Sequence, residues 1–205
     1  QDFDQLRQII YSYTGIVIGP EKRSMMRARL QKRVSALKLG SLAEYLKLVS
    51  GALGASEREM FISSLTTNVT SFFRESHHFR LLTETILPDL IAEDRRINIW
   101  SAGCSSGQEP YSIAMTIHDN FPAQASQFRI TASDIDTNIL ERAKNAVYKP
   151  AEMTGVSLEQ RAKYFQPVRN AAMPGEMQVN ANLVAGIDFR QINLNAHWST
   201  TQQYD

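Results

Sequence analysis

The chain has 205 residues, 43% of them hydrophobic, which is enough to bury a substantial core in one large or two small domains. A formal net charge of +1 excludes a polybasic nucleic-acid binder and an acidic tail, and a single cysteine, Cys104, excludes an internal disulfide. No stretch is apolar over the length of a membrane span or signal peptide, so the chain is expected in the cytoplasm, with the Asn68-Val69-Thr70 sequon a chance match.

The charge is uneven. Residues 1–75 carry 11 Lys and Arg against 7 acids, and the remainder 11 against 14. From Asp2 onward Phe3, Leu6, Ile9, Ile10 and Tyr13 recur at helical spacing until Gly15, which predicts a first helix. A second is predicted over Glu21 to Leu39 on the stripe Met26, Leu30, Val34 and Leu37. Lys22, Arg23, Arg27, Arg29, Lys32, Arg33 and Lys38 occupy much of the rest of that helix, and Glu21 is its only acid. Charges of one sign give up (i, i+4) pairing, so an acidic partner competes with the plainer reading of a solvated face. An interfacial membrane helix would carry Trp or Phe on its apolar face, and this one has neither.

Ser41 with Glu44, and Ser56 with Glu59, form S-x-x-E capping boxes that open two shorter helices around a Gly51 and Gly54 loop. Residues 1–65 therefore read as a small helical bundle. Residues 66–75, TTNVTSFFRE, suit neither a helix interior nor a simple linker. Phe72 and Phe73 are expected to plug into the next domain, leaving Thr67, Asn68, Thr70, Ser71 and Arg74 to a ligand site at the junction. A helix follows over His77 to Glu93 with Pro88 as a kink. His77 and His78 are expected to point to different faces in structural roles, and no metal site is predicted.

The most informative stretch is INIWSAGCSSGQEPYSIAM, Ile97 to Met115. A β-branched run breaks at Gly103, passes through small residues to Gly107 and resumes as a helix from Glu109. That is a strand, a tight loop and a helix whose first N–H groups are open to a ligand, hence a cofactor cradle. A sharp corner in an α/β sheet is the plainer alternative. A second strand, Phe128 to Asp134, ends in an acid placed to take ribose hydroxyls, which suits an adenosine ligand. Helices are predicted over Ile135 to Val147 and Ser157 to Phe165. Short strands follow at Met177 to Val179 and Ile187 to Ile192, around a loop with Pro174 and Gly175.

Two rival readings arise from the same residues. Gly103-x-Ser105-x-Gly107 matches the nucleophile elbow of α/β-hydrolases, with Asp134 or Asp188 and then His197 completing a triad in an esterase. A non-catalytic adenosine-nucleotide-binding signalling module would use the same pocket as a sensor. Cys104 is either a reactive thiol with a lowered pKa or a small residue that fits its loop.

NVTSFFRE, IWSAGCSSGQEPYSIA and ASDIDTNILERA resemble the three signature blocks of the CheR-type chemoreceptor glutamate methyltransferases. The resemblance covers essentially the whole chain. It implies an α/β fold: a small N-terminal helical bundle (1–65), a junction segment (66–75) and a class I, Rossmann-like methyltransferase domain (76–205) with a small antiparallel β insertion at 166–189. It implies transfer of a methyl group from S-adenosylmethionine to receptor glutamates, leaving S-adenosylhomocysteine. Cofactor contacts carry over to Asn68, Thr70, Arg74, Gly103, Glu109, Asp134, Asn193 and Leu194, with Arg74 as the positioning residue and no general base. The basic helix, through Arg23, Arg27, Arg29, Lys32 and Arg33, becomes the surface for the cytoplasmic methylation helices of the receptor. In some members the β insertion docks a receptor C-terminal peptide. No nucleic acid, membrane insertion or metal is implied, and a monomer is expected. The family continues into a strand with an Arg-Asn-x-x-Ile-Tyr pattern about where this sequence reaches Tyr204 and Asp205. The chain, which opens at Gln1 rather than Met, is thus expected to be part of a longer protein with the C-terminal part of the sheet missing here.

Overall fold

The structure is a computed structural model and describes residues 2–169, 171–197 and 202–205. It divides into two compact units. The first comprises Gln1–Thr67, Ile135–Asn138 and Asn193–Trp198; the second comprises Asn68–Asp134, Ile139–Ile192 and Ser199–Asp205.

In the first unit, α1 (Asp2–Thr14), α2 (Arg23–Ala36), α3 (Leu42–Ser50) and α4 (Ala55–Leu65) enclose a core that includes Leu6, Ile10, Leu30, Tyr45, Leu46, Val49 and Phe61, all fully buried. Gly15, at φ +74°, closes α1 with its N–H on the Tyr11 carbonyl, as its left-handed backbone permits. The basic helix is shorter than its pattern predicts. A 3₁₀ turn, Pro20–Lys22, precedes it, and Ala36 ends it ahead of Lys38 at φ +55°. Ser41 caps α3 by accepting from the Glu44 N–H at 3.2 Å, but the Glu44 carboxylate reaches the Gly40 N–H rather than that of Ser41. The Ser56 and Glu59 box is not formed. Gly54 occupies the N-cap of α4, where a Cβ would lie 2.2 Å from the Leu48 carbonyl oxygen, so the helix starts early and Ser56 falls inside it. Glu59 instead accepts from the Thr137 hydroxyl at 3.2 Å.

The second unit runs α5 (Ser76–Leu81), α6 (Leu87–Ala92), β1 (Ile97–Ala102), α7 (Gln108–Asn120), β2 (Phe128–Asp134), α8 (Thr137–Asn145, its first two residues in the first unit), β3 (Val147–Tyr148), α9 (Leu158–Tyr164), β4 (Phe165–Pro167), β5 (Met177–Val179), α10 (Ala181–Ala185) and β6 (Ile187–Gln191). β1, β2 and β6 form a parallel sheet in the order β1-β2-β6, with Ile99 opposite Ile130 and Ile130 opposite Ile187. A small antiparallel sheet takes the order β3-β5-β4. The 166–189 range therefore takes in strands of both sheets, because Ile187–Gln191 pairs with β2. Beside β1, the Asp205 N–H donates to the Asn98 carbonyl at 2.9 Å and Tyr204 stacks on Trp100 with ring centroids 5.1 Å apart.

The helix around Pro88 is not ended by it. A five-residue π turn, Leu82–Ile86, lies between α5 and α6, and the Leu87 N–H reaches back to the Leu82 carbonyl. The widened turn gives the proline ring the room an α-turn would deny it. The His77 and His78 rings, expected on different faces, meet edge to face at 4.2 Å, and His77 Nδ1 lies 3.7 Å from the Glu75 carboxylate. Phe72 does plug into this unit: it is buried, packs against Tyr148 and Phe165, and passes its carbonyl so close to Gly155 that a Cβ there would sit 2.2 Å away.

Candidate cofactor site

The site begins where the parallel strands end. Gly103, Ser105 and Gly107 have φ of +81°, +50° and +93°, so the chain turns sharply three times between β1 and α7. These turns fold the loop over the end of β2: the Gly103 and Cys104 N–H groups both donate to the Ser133 carbonyl at 2.8 Å, and that of Gly107 donates to Cys104 at 3.0 Å. The Ser105 N–H donates to Asp134 Oδ2 at 2.9 Å. All four of these amides precede α7: three hold the loop to the end of β2, and that of Gly107 closes the loop on itself. What the loop opens toward solvent is space. A Cβ on Gly103 would meet nothing within 4 Å, whereas one on Gly107 would press on Tyr111, Tyr148 and Ala143 at 3.0–3.1 Å.

Two carboxylates stand at this end of the sheet. Asp134 closes β2 and is half-buried; Glu109 lies exposed in the first turn of α7, where a negative charge suits the helix dipole. Glu109 Oε1 accepts from the Ser101 hydroxyl at 2.6 Å. Asn68 joins the loop through its carbonyl, which takes a long 3.3 Å contact from the Ser105 hydroxyl. Thr70 is half-buried on the same segment. Arg74 is exposed between Phe73 and Glu75, both left-handed at φ +52° and +55°, and one of its guanidinium nitrogens donates to the Val69 carbonyl at 3.1 Å. Two non-glycine residues in that region mark a strained corner built around the arginine.

Cys104 is 1% exposed, and burial, followed by the charge of Asp134, pushes its thiol up to about 12. It is the small residue that fits, not a lowered-pKa nucleophile. Ser105 is nearly buried and bonded through both its amide and its hydroxyl, which leaves the nucleophile-elbow reading without an exposed hydroxyl.

The remaining predicted residues lie in the first unit. The Asn193 side chain donates to the Tyr13 carbonyl and accepts from the Asn195 N–H, both at 3.0 Å, so it is engaged within that unit; Leu194 is exposed. On α2 the five cations divide. Arg33 makes a two-pronged pair with Glu57 at 2.9 and 2.8 Å, to which the Tyr45 hydroxyl adds 2.8 Å, and Arg29 donates to the Thr66 carbonyl at 2.9 Å. Burial pushes the Glu57 carboxyl up, but the hydrogen bonds from Arg33 and Tyr45 outweigh it and hold its pKa below the ordinary value. These two arginines are half-buried and bonded within the bundle. Arg23, Arg27 and Lys32 are exposed, with Arg23 over the Phe3 ring at 5.0 Å.

Sequence reasoning missed Ser101, the Ser105 amide and Asp136. Asp136 is 1% exposed and accepts from the Asn138 N–H at 3.0 Å and from the Thr66 hydroxyl at 2.9 Å, all within the first unit. Its signal was present: an aspartate directly ahead of a helix is a preferred cap. Among the described residues, no group of three or more His, Cys, Asp or Glu could hold a metal, and no helix is long and apolar enough to cross a membrane.

Comparison with known proteins bears on both units. Residues 1–66 match the family described as CheR methyltransferase, all-alpha domain, and residues 68–205 match CheR methyltransferase, SAM binding domain. The chain is 37% identical over 194 residues to the chemotaxis protein methyltransferase of Escherichia coli, covering 95% of this chain and 66% of that protein. It is 37% identical over 207 residues to chemotaxis protein methyltransferase 2 of Pseudomonas aeruginosa, covering 100% of this chain and 72% of the relative. For the chemotaxis protein methyltransferase of Vibrio parahaemolyticus the identity is 35% over 209 residues, covering 100% and 74%. The chain thus spans about two thirds to three quarters of the length of these relatives.

Proposed function

This chain belongs to the CheR methyltransferase family, and we propose that it carries the cofactor site and the receptor-facing surface of an enzyme that methylates glutamate carboxylates on bacterial chemoreceptors. The observation that carries the reading is the pair of carboxylates, Glu109 and Asp134, at the open end of two parallel strands, beside a glycine whose missing side chain leaves space. Their chemistry fits an adenosyl cofactor. Carboxylates accept from ribose hydroxyls and from an α-ammonium, and Arg74 presents a planar fork that matches a carboxylate. Asn68 and Thr70 stand on the same segment as Arg74 and complete the set. S-adenosylmethionine, when bound, supplies an electrophilic methyl group.

The chain's own residues then have a limited task. A glutamate is already ionised at neutral pH, its reference pKa being about 4.3, so no base has to remove a proton. Asp134 and Glu109 orient the cofactor; Arg74 grips its carboxylate end. Too firm a hold on the receptor oxygens would lower their nucleophilicity, so Arg74 is assigned to the cofactor. Arg23, Arg27 and Lys32 raise the encounter rate with acidic receptor helices.

Calorimetric titration of S-adenosylhomocysteine into the full-length protein, beside Asp134→Ala, tests the reading. Binding in the micromolar range that the variant loses by about tenfold or more supports it. No binding by a folded wild-type protein would sink it.

A further inference from the structure

We propose that Ser101 is the positioning residue that fixes the Glu109 carboxylate for the cofactor, an inference that rests on reading residues 68–205 as a methyl-donor site. Ser101 is the fifth residue of β1, 1% exposed and opposite Ala132 in the sheet. Serine is a weak strand former at a position where a buried Val or Ile would pack better, and a buried hydroxyl must find a partner. The partner it finds is unusual for that purpose. Its hydroxyl donates to Glu109 Oε1 at 2.6 Å, within the range of a charge-assisted O–H···O⁻ bond.

Glu109 is exposed, so water would satisfy its carboxylate without help. The bond therefore adds orientation rather than satisfaction to a long side chain that would otherwise sample several rotamers. It holds Oε1, while Oε2 has no protein partner among the described residues. The same device recurs across the loop, where the Ser105 amide holds Asp134 Oδ2 at 2.9 Å. Each acid thus has one oxygen fixed by a serine of the strand or loop that precedes α7. The bond ties the end of β1 to the first turn of α7, so the carboxylate is held by two elements of regular structure rather than by a loop.

The test is a double-mutant cycle read by calorimetry with S-adenosylhomocysteine on the full-length protein: wild type, Ser101→Ala, Glu109→Ala and the double variant, with thermal midpoints measured without ligand. Ser101→Ala is expected to weaken binding about tenfold at an unchanged midpoint, and to weaken it no further once Glu109 is gone. Wild-type affinity in Ser101→Ala, or an equal additional loss in the Glu109→Ala background, would overturn the proposal while leaving the cofactor reading in place. A folded wild-type protein that binds no S-adenosylhomocysteine would overturn both.

Discussion

At Cys104, burial decides the chemistry. A thiol pushed up to about 12 carries almost no thiolate at neutral pH, so alkylation of the native protein by iodoacetamide is expected to run at least about a hundredfold slower than after denaturation. Comparable rates would mean the loop opens readily. The glycines of the same loop separate two roles that their spacing alone cannot. Gly107→Ala meets three side chains at 3.0–3.1 Å as well as a positive φ, and should lower stability by about 2 kcal/mol. Gly103→Ala meets only the backbone penalty, about 1 kcal/mol, and should lose more in S-adenosylhomocysteine affinity than in stability. Thermal midpoints beside titrations distinguish the two. The glycine spacing and the terminal Asp134 were legible because turn chemistry is local. The use of Ser101 was not, since a serine in a strand announces neither its burial nor a partner eight residues away.

At the scale of elements, α2 shows how a helix read by itself can hide a partner from another helix. Its periodicity predicted the buried stripe Met26, Leu30, Val34 and Leu37; the first three are buried, whereas Leu37 lies past the end of the helix and is exposed. Counting acids only within the helix, however, left Arg33 without a partner, because Glu57 arrives from α4, 24 residues away. The Glu57 pKa is depressed in the folded state, so its contribution is fully present above the ordinary carboxylate range and is lost as pH falls through the lower folded value. Glu57→Gln should destabilise the protein by about 1–3 kcal/mol near pH 7 and show a smaller loss than wild type on acidification to about pH 3. Denaturation followed by circular dichroism at the two pH values checks this; parallel acid limbs would refute it. β3 and β4 escaped prediction because two or three residues are too few for alternation to show, and Val147 continued the apolar pattern of the helix before it.

Across the whole molecule, the proposed division of labour puts Arg74, Glu109 and Asp134 in one unit and the exposed cations Arg23, Arg27 and Lys32 in the other. Replacing Arg23, Arg27 and Lys32 together by Glu should reduce methylation of a receptor fragment about tenfold or more, most at low ionic strength, with S-adenosylhomocysteine affinity unchanged. An equal loss of cofactor affinity would show that these cations do more than attract the receptor. The two-part order of the chain was legible from the shift in charge and pattern near residue 66. That the first unit is finished by later residues was not. Thr137 reaches Glu59, Asp136 takes the Thr66 hydroxyl and Asn193 reaches the Tyr13 carbonyl. The helical unit is therefore not a cassette. A chimera that exchanged residues 1–66 with a relative would inherit mismatched seams at these three points, and a successful graft would have to carry positions 136, 137 and 193 with it.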